Sequence, residues 1–224
     1  MPVTSIPLLQ VRDLRFAYAG QPALVQDWTA SVGAGVTLLF GDTGSGKTTL
    51  LRVLAGALAC AGQLSIAGIR LDQDAQAYRR AVFWFDAEAG SAAEAGAAAR
   101  AALTPREWVA AWCAMHPHFD AAAWQRYAEG FGLGPHVHKP MYQLSTGSRR
   151  KVALAAALAS GCPLTLLDEP TGALDAPSVA YLMHALAGCA RRPDQAVVLA
   201  SAERPPGVLL AGEIELPLPA AAVA

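Results

Sequence analysis

Short apolar runs make up much of the hydrophobic pattern of this chain, and several of them predict β-strands. Positions 8–18, rich in β-type residues and followed by a Gly-Gln-Pro turn, predict a first strand. Positions 24–32 predict a second one, which ends at Gly33. Further strands are predicted where short, mainly apolar runs occur, the pattern of strands buried on both faces. These runs occupy positions 36–40, 81–85, 164–167 and 196–200.

Helical spacing follows most of these runs. Positions 47–58 place four leucines on one helix face. Positions 148–160 and 177–189 also predict helices, the second with a proline near its first turn. The alternation of strands and helices predicts an α/β fold with a parallel sheet, and the first two strands predict an additional antiparallel part.

Positions 87–143 have a different character and predict a small helical subdomain inserted into the α/β body. Positions 87–103 are rich in Ala, Gly and Glu and predict either a loose helix or a loop. The sequence Thr-Pro-Arg-Glu at 104–107 is a strong helix start, and Asp120 can cap a second helix. The large side chains at helical spacing are predicted to lie in the core and not to stack on bases: Trp108, Trp112, Met115, Trp124, Tyr127 and Phe131.

The whole chain is predicted to be one domain of 224 residues. Its body would comprise residues 1–86 and 144–215, and the Pro- and Ala-rich segment 216–224 would be a frayed tail. The first ten residues lack the pattern of a signal peptide. The uncharged run 152–167 contains Gly and Pro and is too short to span a bilayer.

Charge and cysteine content exclude some classes of protein. The chain has 17 Lys and Arg against 18 Asp and Glu, a net charge of −1, and 54% hydrophobic residues. A strongly basic nucleic-acid binder and a disordered chain are therefore excluded. The four cysteines are far apart and form no C-x-x-C motif, which favours reduced, metal-free thiols and a cytoplasmic location.

The most informative motif is G-D-T-G-S-G-K-T at positions 41–48, which matches G-x-x-x-x-G-K-[ST] between a predicted strand and a predicted helix. Gly44 and Gly46 allow backbone N–H groups to turn inward around a phosphate, and the helix start adds its positive dipole. Lys47 can reach the β- and γ-phosphates, and the Thr48 hydroxyl can hold Mg²⁺. The predicted nucleotide-binding residues here are Gly41, Asp42, Thr43, Gly44, Ser45, Gly46, Lys47, Thr48 and Thr49.

Two acids follow the predicted strand at 164–167. Asp168 would come at the end of that buried strand, beside the bound Mg²⁺. Glu169, one residue later, can face the γ-phosphate and activate water as a general base. Paired acids at this place could instead be an ordinary solvated strand end.

The segment Leu-Ser-Thr-Gly-Ser at 144–148 lies between these motifs, and with it the sequence resembles the ATP-binding cassette (ABC) ATPases. That family has a signature of LSGGQ type about twenty residues before the strand that ends in Asp-Glu. Leu144, Ser145 and Gly147 match the signature, and Thr146 stands at a variable position.

Two further segments match the same family in the expected order. Gly-Ala-Leu-Asp at 172–175 looks like its D-loop, which makes Asp175 a predicted site residue. Tyr18 matches the aromatic residue that stacks on adenine. The resemblance covers about residues 8–201 and implies a P-loop NTPase fold of ABC ATPase type, with a mixed sheet core, an antiparallel β part and an inserted helical subdomain.

The resemblance also implies a mechanism and partners. Two ATPase subunits would pack head to tail and enclose two ATP molecules with Mg²⁺. Each ATP would lie between the phosphate loop of one subunit and Ser145 and Gly147 of the other. Closing and opening of this homo- or heterodimer would drive a separate integral membrane subunit. The chain is accordingly expected at the cytoplasmic, inner face of the membrane as a peripheral subunit.

The sequence departs from the family pattern at two positions. The family has Gln where alignment puts Asp86, which could still reach Mg²⁺ or its water. The family also has a His that contacts the γ-phosphate, where alignment puts Ala202, which cannot donate a hydrogen bond from its side chain. Loss of such a donor costs about 10²–10³-fold in rate where it acts on the transition state. We therefore expect near-normal ATP binding with slow or conditional hydrolysis, unless a nearby His or Ser201 substitutes.

Two other functions stay open on the sequence. An ATP-dependent regulatory or assembly module would bind ATP and dimerise without transport, and Ala202 favours it, whereas Glu169 does not. A small P-loop kinase is a weaker alternative, because no second-substrate site or Arg-rich lid is recognisable and the signature would be unexplained.

The remaining polar clusters have ordinary interpretations. The His-x-His pairs at 116–118 and 136–138 are predicted to be exposed loop histidines, because no Cys or acid cluster joins them at ligand spacing. The basic run 149–151 is predicted to be a solvated helix face, with packing near the partner's nucleotide as the alternative. The cysteines are predicted to be small buried apolar groups.

Overall fold

The structure is a computed structural model, and it describes residues 7–85, 101–116 and 118–218. Within these residues, one sheet is antiparallel. Its strands are β1 Leu9–Phe16, β2 Val25–Val32, β4 Ala61–Ile66 and β5 Ile69–Arg70, and they follow the order β2-β1-β4-β5. The predicted antiparallel part therefore corresponds to β1 and β2, to which two later strands are added.

A second sheet is parallel throughout. Its strands are β3 Gly35–Phe40, β6 Val82–Phe85, β7 Leu164–Asp168, β8 Ala196–Ser201 and β9 Leu210–Glu215. They follow the order β6-β7-β8-β3-β9. The three central strands are buried almost along their whole length, as their continuous apolar sequences predict.

Helices and two short 3-10 turns connect the strands. The helices are α1 Lys47–Leu54, α2 Ala75–Arg80, α3 Pro105–Met115, α4 Ala121–Gly130, α5 Thr146–Ala159 and α6 Ala176–Cys189. The 3-10 turns are Gly134–His136 and Met141–Gln143. Thr104 and Glu107 form the predicted reciprocal cap of α3, and Asp120 caps α4 through the N–H of Ala123.

The hydrophobic core lies on both faces of the parallel sheet. Leu38 and Leu39, neighbours on β3, enter two different clusters because side chains alternate along a strand. The Leu38 cluster continues into α5, α6 and the helical segment, where Trp124 and Phe131 are buried. The Leu39 cluster continues into α1 and the antiparallel sheet. The parallel sheet is therefore the middle layer of the body.

The predicted core aromatics of the helical segment differ in depth. Trp108, Trp112 and Tyr127 are only partly buried, although all three pack against the core. Trp112 lies against Phe83 of β6, with ring centroids 4.4 Å apart. The side chain of Met115 and residues 87–100, predicted as a loose helix or a loop, lie outside the described part of the chain.

Some predicted boundaries are wrong. Helix α1 ends at Leu54 and does not continue to position 58, because Gly56 adopts a φ of +68° and its N–H bonds to the carbonyl of Val53. Helix α5 begins at Thr146, two residues before the predicted start, because Ser145 caps it through the N–H of Ser148.

The expected frayed tail is also partly wrong. Leu216 is 5% exposed and belongs to the core, and its N–H donates to the carbonyl of Phe40 at 2.8 Å. Residues 219–224 lie outside the described part. None of the helices in that part combines the length and the apolar character that a membrane span requires.

Candidate functional site

The candidate site lies at one edge of the parallel sheet, where neighbouring strands β7, β8 and β3 end. Parallel strands bring their carboxyl ends to the same edge, which is where ligands bind in open α/β sheets. Strand β3 leads into Gly41, β7 ends at Asp168 and is followed by Glu169, and β8 ends at Ser201. The N–H of Glu169 bonds to the carbonyl of Ala200, which joins two of these ends.

The predicted phosphate loop is a turn between β3 and α1. Gly44 and Gly46 have φ angles of +82° and +99°, a conformation that side chains other than glycine adopt rarely. A Cβ on Gly46 would also lie 2.3 Å from a methyl carbon of Leu24. The loop residues Asp42 and Thr43 are exposed. This arrangement leaves an open turn at the N-terminus of a helix, the geometry that binds phosphate.

The Lys47 side chain folds back onto this turn and bonds to its backbone. It is 6% exposed, and its Nζ donates to the carbonyl oxygens of Gly41 at 2.6 Å and of Asp42 at 3.0 Å. Its third neighbour is Oε1 of Glu169, 3.2 Å away. The lysine and the acid predicted to act on the γ-phosphate therefore meet in this structure.

Thr48 and Asp168 form the second contact of the site. The Thr48 hydroxyl donates to Oδ2 of Asp168 at 2.7 Å, although the two residues are 120 positions apart. Asp168 is 2% exposed. Hydroxyl and carboxylate oxygens at the mouth of a phosphate loop are the donors that Mg²⁺ takes beside a nucleotide, so these residues fit that ion.

Tyr18 lies next to the same helix. Its side chain is 41% exposed, and its hydroxyl is 3.4 Å from Oγ1 of Thr49. Phe16 contacts it edge-on, with ring centroids 5.1 Å apart. The ring is thus held beside the loop while retaining exposed surface, as the predicted adenine contact requires.

The signature residues form the N-terminus of α5. Ser145 caps this helix and is exposed, like Thr146. A Cβ on Gly147 would lie 2.5 Å from the carbonyl oxygen of Ala173, so glycine is required for this close approach. Within the described residues, no hydrogen bond or ion pair joins the signature residues to the phosphate loop of the same chain.

Asp175 contacts the signature helix α5 through Lys151. It caps α6 by accepting from the N–H of Ser178 at 2.9 Å, and it accepts from Nζ of Lys151 at 2.6 Å. The Lys151 ammonium, followed by the Ser178 donors, holds the pKa of Asp175 well below its usual range. Asp175 is therefore ionised at neutral pH.

The two departures from the family pattern have different outcomes. Asp86 lies outside the described residues, so its predicted role in holding Mg²⁺ stays a prediction. Ala202 is exposed directly after β8. The neighbouring Ser201 is half-buried, and its Oγ accepts from the N–H of Glu203 at 3.0 Å.

The basic run at 149–151 is not uniformly a solvated face, and this corrects the sequence prediction. Arg149 is exposed, but Arg150 donates to the carbonyl of Gly172, and Lys151 pairs with Asp175. Sequence reasoning missed these contacts because the acceptors are mainly backbone carbonyls, which leave no residue pattern.

The prediction of exposed histidines is wrong for His116. His118 and His138 are exposed, but His116 is 8% exposed and stacks on Trp112 with ring centroids 4.7 Å apart. Its Nδ1 is 3.8 Å from Sγ of Cys162. Over the ranges that the structure describes, no three His, Cys, Asp or Glu side chains gather at metal-binding distance.

Burial of the cysteines follows the prediction in two of four cases. Cys162 and Cys189 are buried, whereas Cys60 and Cys113 are only partly so. Burial raises the pKa of the Cys162 thiol to about 11, so this thiol is protonated at neutral pH.

Comparison with known proteins gives consistent matches. The profile of the family described as ABC transporter matches residues 26–172. The cytochrome c biogenesis ATP-binding export protein CcmA of Pseudomonas fluorescens (strain Pf0-1) is 38% identical over 154 residues, which are 68% of this chain and 69% of that protein. The protein of the same name from Hahella chejuensis (strain KCTC 2396) is 32% identical over 178 residues, 79% of this chain and 80% of that protein.

Solved structures match the fold. A putative ABC transporter ATP-binding protein from Pyrococcus furiosus superposes with a TM-score of 0.71 over 93% of this chain and 96% of that one. The sequence identity is 18%, so this likeness concerns the fold alone. A structure described as the ATP binding subunit of an ABC transporter gives a TM-score of 0.72 at 23% identity, over 86% of this chain and 79% of that one.

Proposed function

The chain belongs to the ABC transporter family, and on that premise we propose that it binds and hydrolyses ATP in a head-to-tail dimer that drives a separate membrane subunit. Family membership confirms the resemblance and the fold class that the sequence predicted. The observation that carries the proposal is the meeting of Lys47, Thr48, Asp168 and Glu169 at one sheet edge, with contacts of 3.2 Å and 2.7 Å.

The contacts of these side chains suggest how they would act on ATP. Nζ of Lys47 would exchange the carbonyls of Gly41 and Asp42 for oxygens of the phosphates. Thr48 and Asp168 would hold Mg²⁺, which would neutralise charge on the phosphates. Glu169, once separated from Lys47, would accept a proton from the attacking water.

The second subunit is proposed because, among the described residues, no hydrogen bond or ion pair joins the signature residues to the phosphate loop of the same chain. Ser145 is exposed at the start of a 14-residue helix, and no contact directs it to its own phosphate loop within the described residues. A helix N-terminus with a free backbone donor is suited to a γ-phosphate. We propose that this phosphate belongs to the ATP of the partner subunit.

Slow or conditional hydrolysis is proposed from Ala202. The methyl side chain of Ala202 cannot donate a hydrogen bond to the γ-phosphate. The purified protein should therefore turn over MgATP well below the ~10 s⁻¹ typical of enzymes. Glu169→Gln should lower the rate at least 100-fold while MgATP still binds. An equal rate in wild type and Glu169→Gln would contradict the role of Glu169.

The membrane partner and a location at the inner face of the membrane belong to the same proposal. Both curated relatives described above are named ATP-binding export proteins. The test is co-purification of a membrane protein with the tagged chain, and ATPase activity with and without membranes from the host. Stimulation by those membranes, and its loss in Lys47→Ala, is the expected result.

A regulatory or assembly module is the second candidate, because Ala202 would suit a protein that binds ATP without rapid turnover. It predicts an ATP-dependent dimer, no membrane partner and no stimulation of hydrolysis by membranes. The same co-purification experiment therefore separates the two functions.

The cellular process that this chain serves is proposed from the names of its relatives. Both curated relatives described above are named as export proteins of cytochrome c biogenesis. We propose the same process for this chain. Deletion of its gene should lower the haem-staining c-type cytochromes of the host, and wild type, but not Lys47→Ala, should restore them. An unchanged level of c-type cytochromes after deletion would refute a role in this process.

A further inference from the structure

The loop of residues 169–175 carries two predicted site residues in a conformation that needs support. Glu169 and Ala173 have φ angles of +40° and +57°, in the left-handed region that residues other than glycine rarely adopt. Such backbone persists only where surrounding contacts hold it. The contacts of this loop therefore decide where the Glu169 carboxylate points.

Arg150 of α5 supplies contacts at two places in the loop. Its Nη1 donates to the carbonyl of Gly172 at 2.9 Å, and its Nη2 to the carbonyl of Glu169 at 3.4 Å. A Cβ on Gly172 would lie 2.7 Å from Nη1, so glycine at this position allows the guanidinium to approach. The planar, forked group of arginine can serve two carbonyls at once, which an ammonium cannot do as well.

The same side chain also contacts the parallel sheet. The Arg150 guanidinium lies over the ring of Phe85, 5.8 Å from its centroid, at the end of β6. Its Nε is buried and has no hydrogen-bond partner among the described residues. A surface arginine would hydrate that group, so burial here carries a cost that the two carbonyl contacts and the ring contact offset.

We propose that Arg150 is a positioning residue for hydrolysis, which holds the backbone of Glu169 so that its carboxylate meets the attacking water. This inference rests on the proposed function, because it assigns Glu169 as the base. In this proposal Arg150 acts through the loop, by its contacts with the carbonyls of Glu169 and Gly172. It also links the signature helix, which would contact the partner's ATP, to the base of its own site.

The test is a double-mutant cycle of Arg150→Gln and Glu169→Gln. The rate is that of single-turnover hydrolysis of labelled ATP with the protein in excess, because this assay can measure slow reactions over hours. We expect Arg150→Gln alone to lower the rate about 10- to 100-fold, since a small displacement of a reacting group has effects of this size. The dissociation constant for MgATP should stay within about twofold. In the Glu169→Gln background, Arg150→Gln should change the residual rate by less than about twofold.

A merely structural role gives a different result. It would lower the rate by the same factor in both backgrounds, and this additive outcome would overturn the proposal. Arg126→Gln is the matched control, because Arg126 is an exposed arginine on α4 that pairs at 3.7 Å with Asp120. It should leave rate and affinity unchanged.

Two further measurements keep the proposal falsifiable. Arg150→Lys, which retains the charge, should show a smaller loss of hydrolysis rate than Arg150→Gln, and it serves in the same cycle if the glutamine variant does not fold.

Hydrogen exchange of the Gly172 and Leu174 amides, which bond within the loop, should become faster in Arg150→Gln without becoming faster in the core strands. Unchanged exchange would also overturn it. If wild type itself fails to bind or hydrolyse ATP, the proposed function fails, and not this inference alone.

Discussion

Lys47 and Glu169 form an ion pair at the mouth of the site, so in this structure the Glu169 carboxylate is held by the lysine. Nζ of Lys47 has three oxygen neighbours, which matches the three protons of an ammonium group. Under the proposed function, phosphate oxygens would replace some of these neighbours. Binding of ATP would thus free the Glu169 carboxylate at the moment when water has to be activated.

The meeting of the candidate site residues could be predicted because the chemistry expected of them fixes their type and spacing along the chain. Lys47 and Thr48 follow the glycine turn, and Asp168 ends a buried strand. Arg150 could not be predicted in the same way. Its acceptors are carbonyls 19 and 22 positions away, and any residue supplies a carbonyl.

Ala202→His restores a side-chain donor at the position where the family has histidine. Single-turnover hydrolysis should rise at least tenfold, because a missing donor to the transition state costs about 10²–10³-fold. Ala202→Phe, which adds a ring without a donor, is the control and should not raise the rate. No gain with histidine would show that Ala202 is not the equivalent position.

His116 predicts a pH dependence of stability. Burial, with the nearby Arg80 charge, lowers its pKa below the ordinary value of 6.5. The unfolded chain then binds the proton more readily, so stability is complete above about pH 6.5 and is lost as the pH falls through and below that value. His116→Asn should shrink the difference in Tm between pH 7.5 and pH 5.5. An equal difference in both proteins would contradict this assignment.

At the level of elements, a strong local cap was predicted, whereas an edge strand paired with a distant segment was not. The start of α3 was predicted because Thr104 and Glu107 satisfy each other's backbone N–H groups within one turn. Strand β9 was missed, because it lies at the edge of the sheet and alternates half-buried with exposed residues over only six positions. Its pairing with β3 depends on contacts more than 170 residues apart in sequence, as in Thr37 opposite Gly212.

Thr104→Ala tests the cap of α3. Its side-chain oxygen accepts the N–H of Glu107 at 3.2 Å, and loss of such a cap costs about 1 kcal/mol. We expect Tm to fall by about 2–4 °C for a chain of this size. Thr104→Ser keeps the oxygen and should stay close to wild type. If serine and alanine lower Tm equally, the cap does not stabilise the helix.

At the scale of the whole molecule, no hydrogen bond or ion pair among the described residues joins the two predicted ATP contacts. The phosphate loop lies at the carboxyl edge of the parallel sheet, and the signature lies at the exposed start of α5, next to the 169–175 loop. We propose that a second copy or a related subunit supplies the signature residues that complete the site. Neither the strand order nor this separation follows from local sequence pattern.

A negative charge introduced at position 145 should prevent ATP-dependent dimer formation. In Glu169→Gln, where ATP persists, MgATP should double the mass measured by light scattering. Adding Ser145→Asp should abolish this change, because Asp still caps α5 but repels a γ-phosphate. Ser145→Asn caps equally well without the charge and should still dimerise. Dimers that form equally with Asp would show that α5 does not face the partner's nucleotide.

The central claim is that Lys47 binds the phosphates of ATP, and equilibrium binding of MgATP to the purified chain tests it most directly. Wild type should bind one ATP per chain with a dissociation constant below ~1 mM, the upper range of ordinary substrate constants. Lys47→Ala should weaken binding at least tenfold, and Lys47→Arg should not restore it fully, because the buried lysine reaches two loop carbonyls that the larger guanidinium does not fit in the same way. Saturation of wild type only at several millimolar, or equal affinity in wild type and Lys47→Ala, would contradict the account.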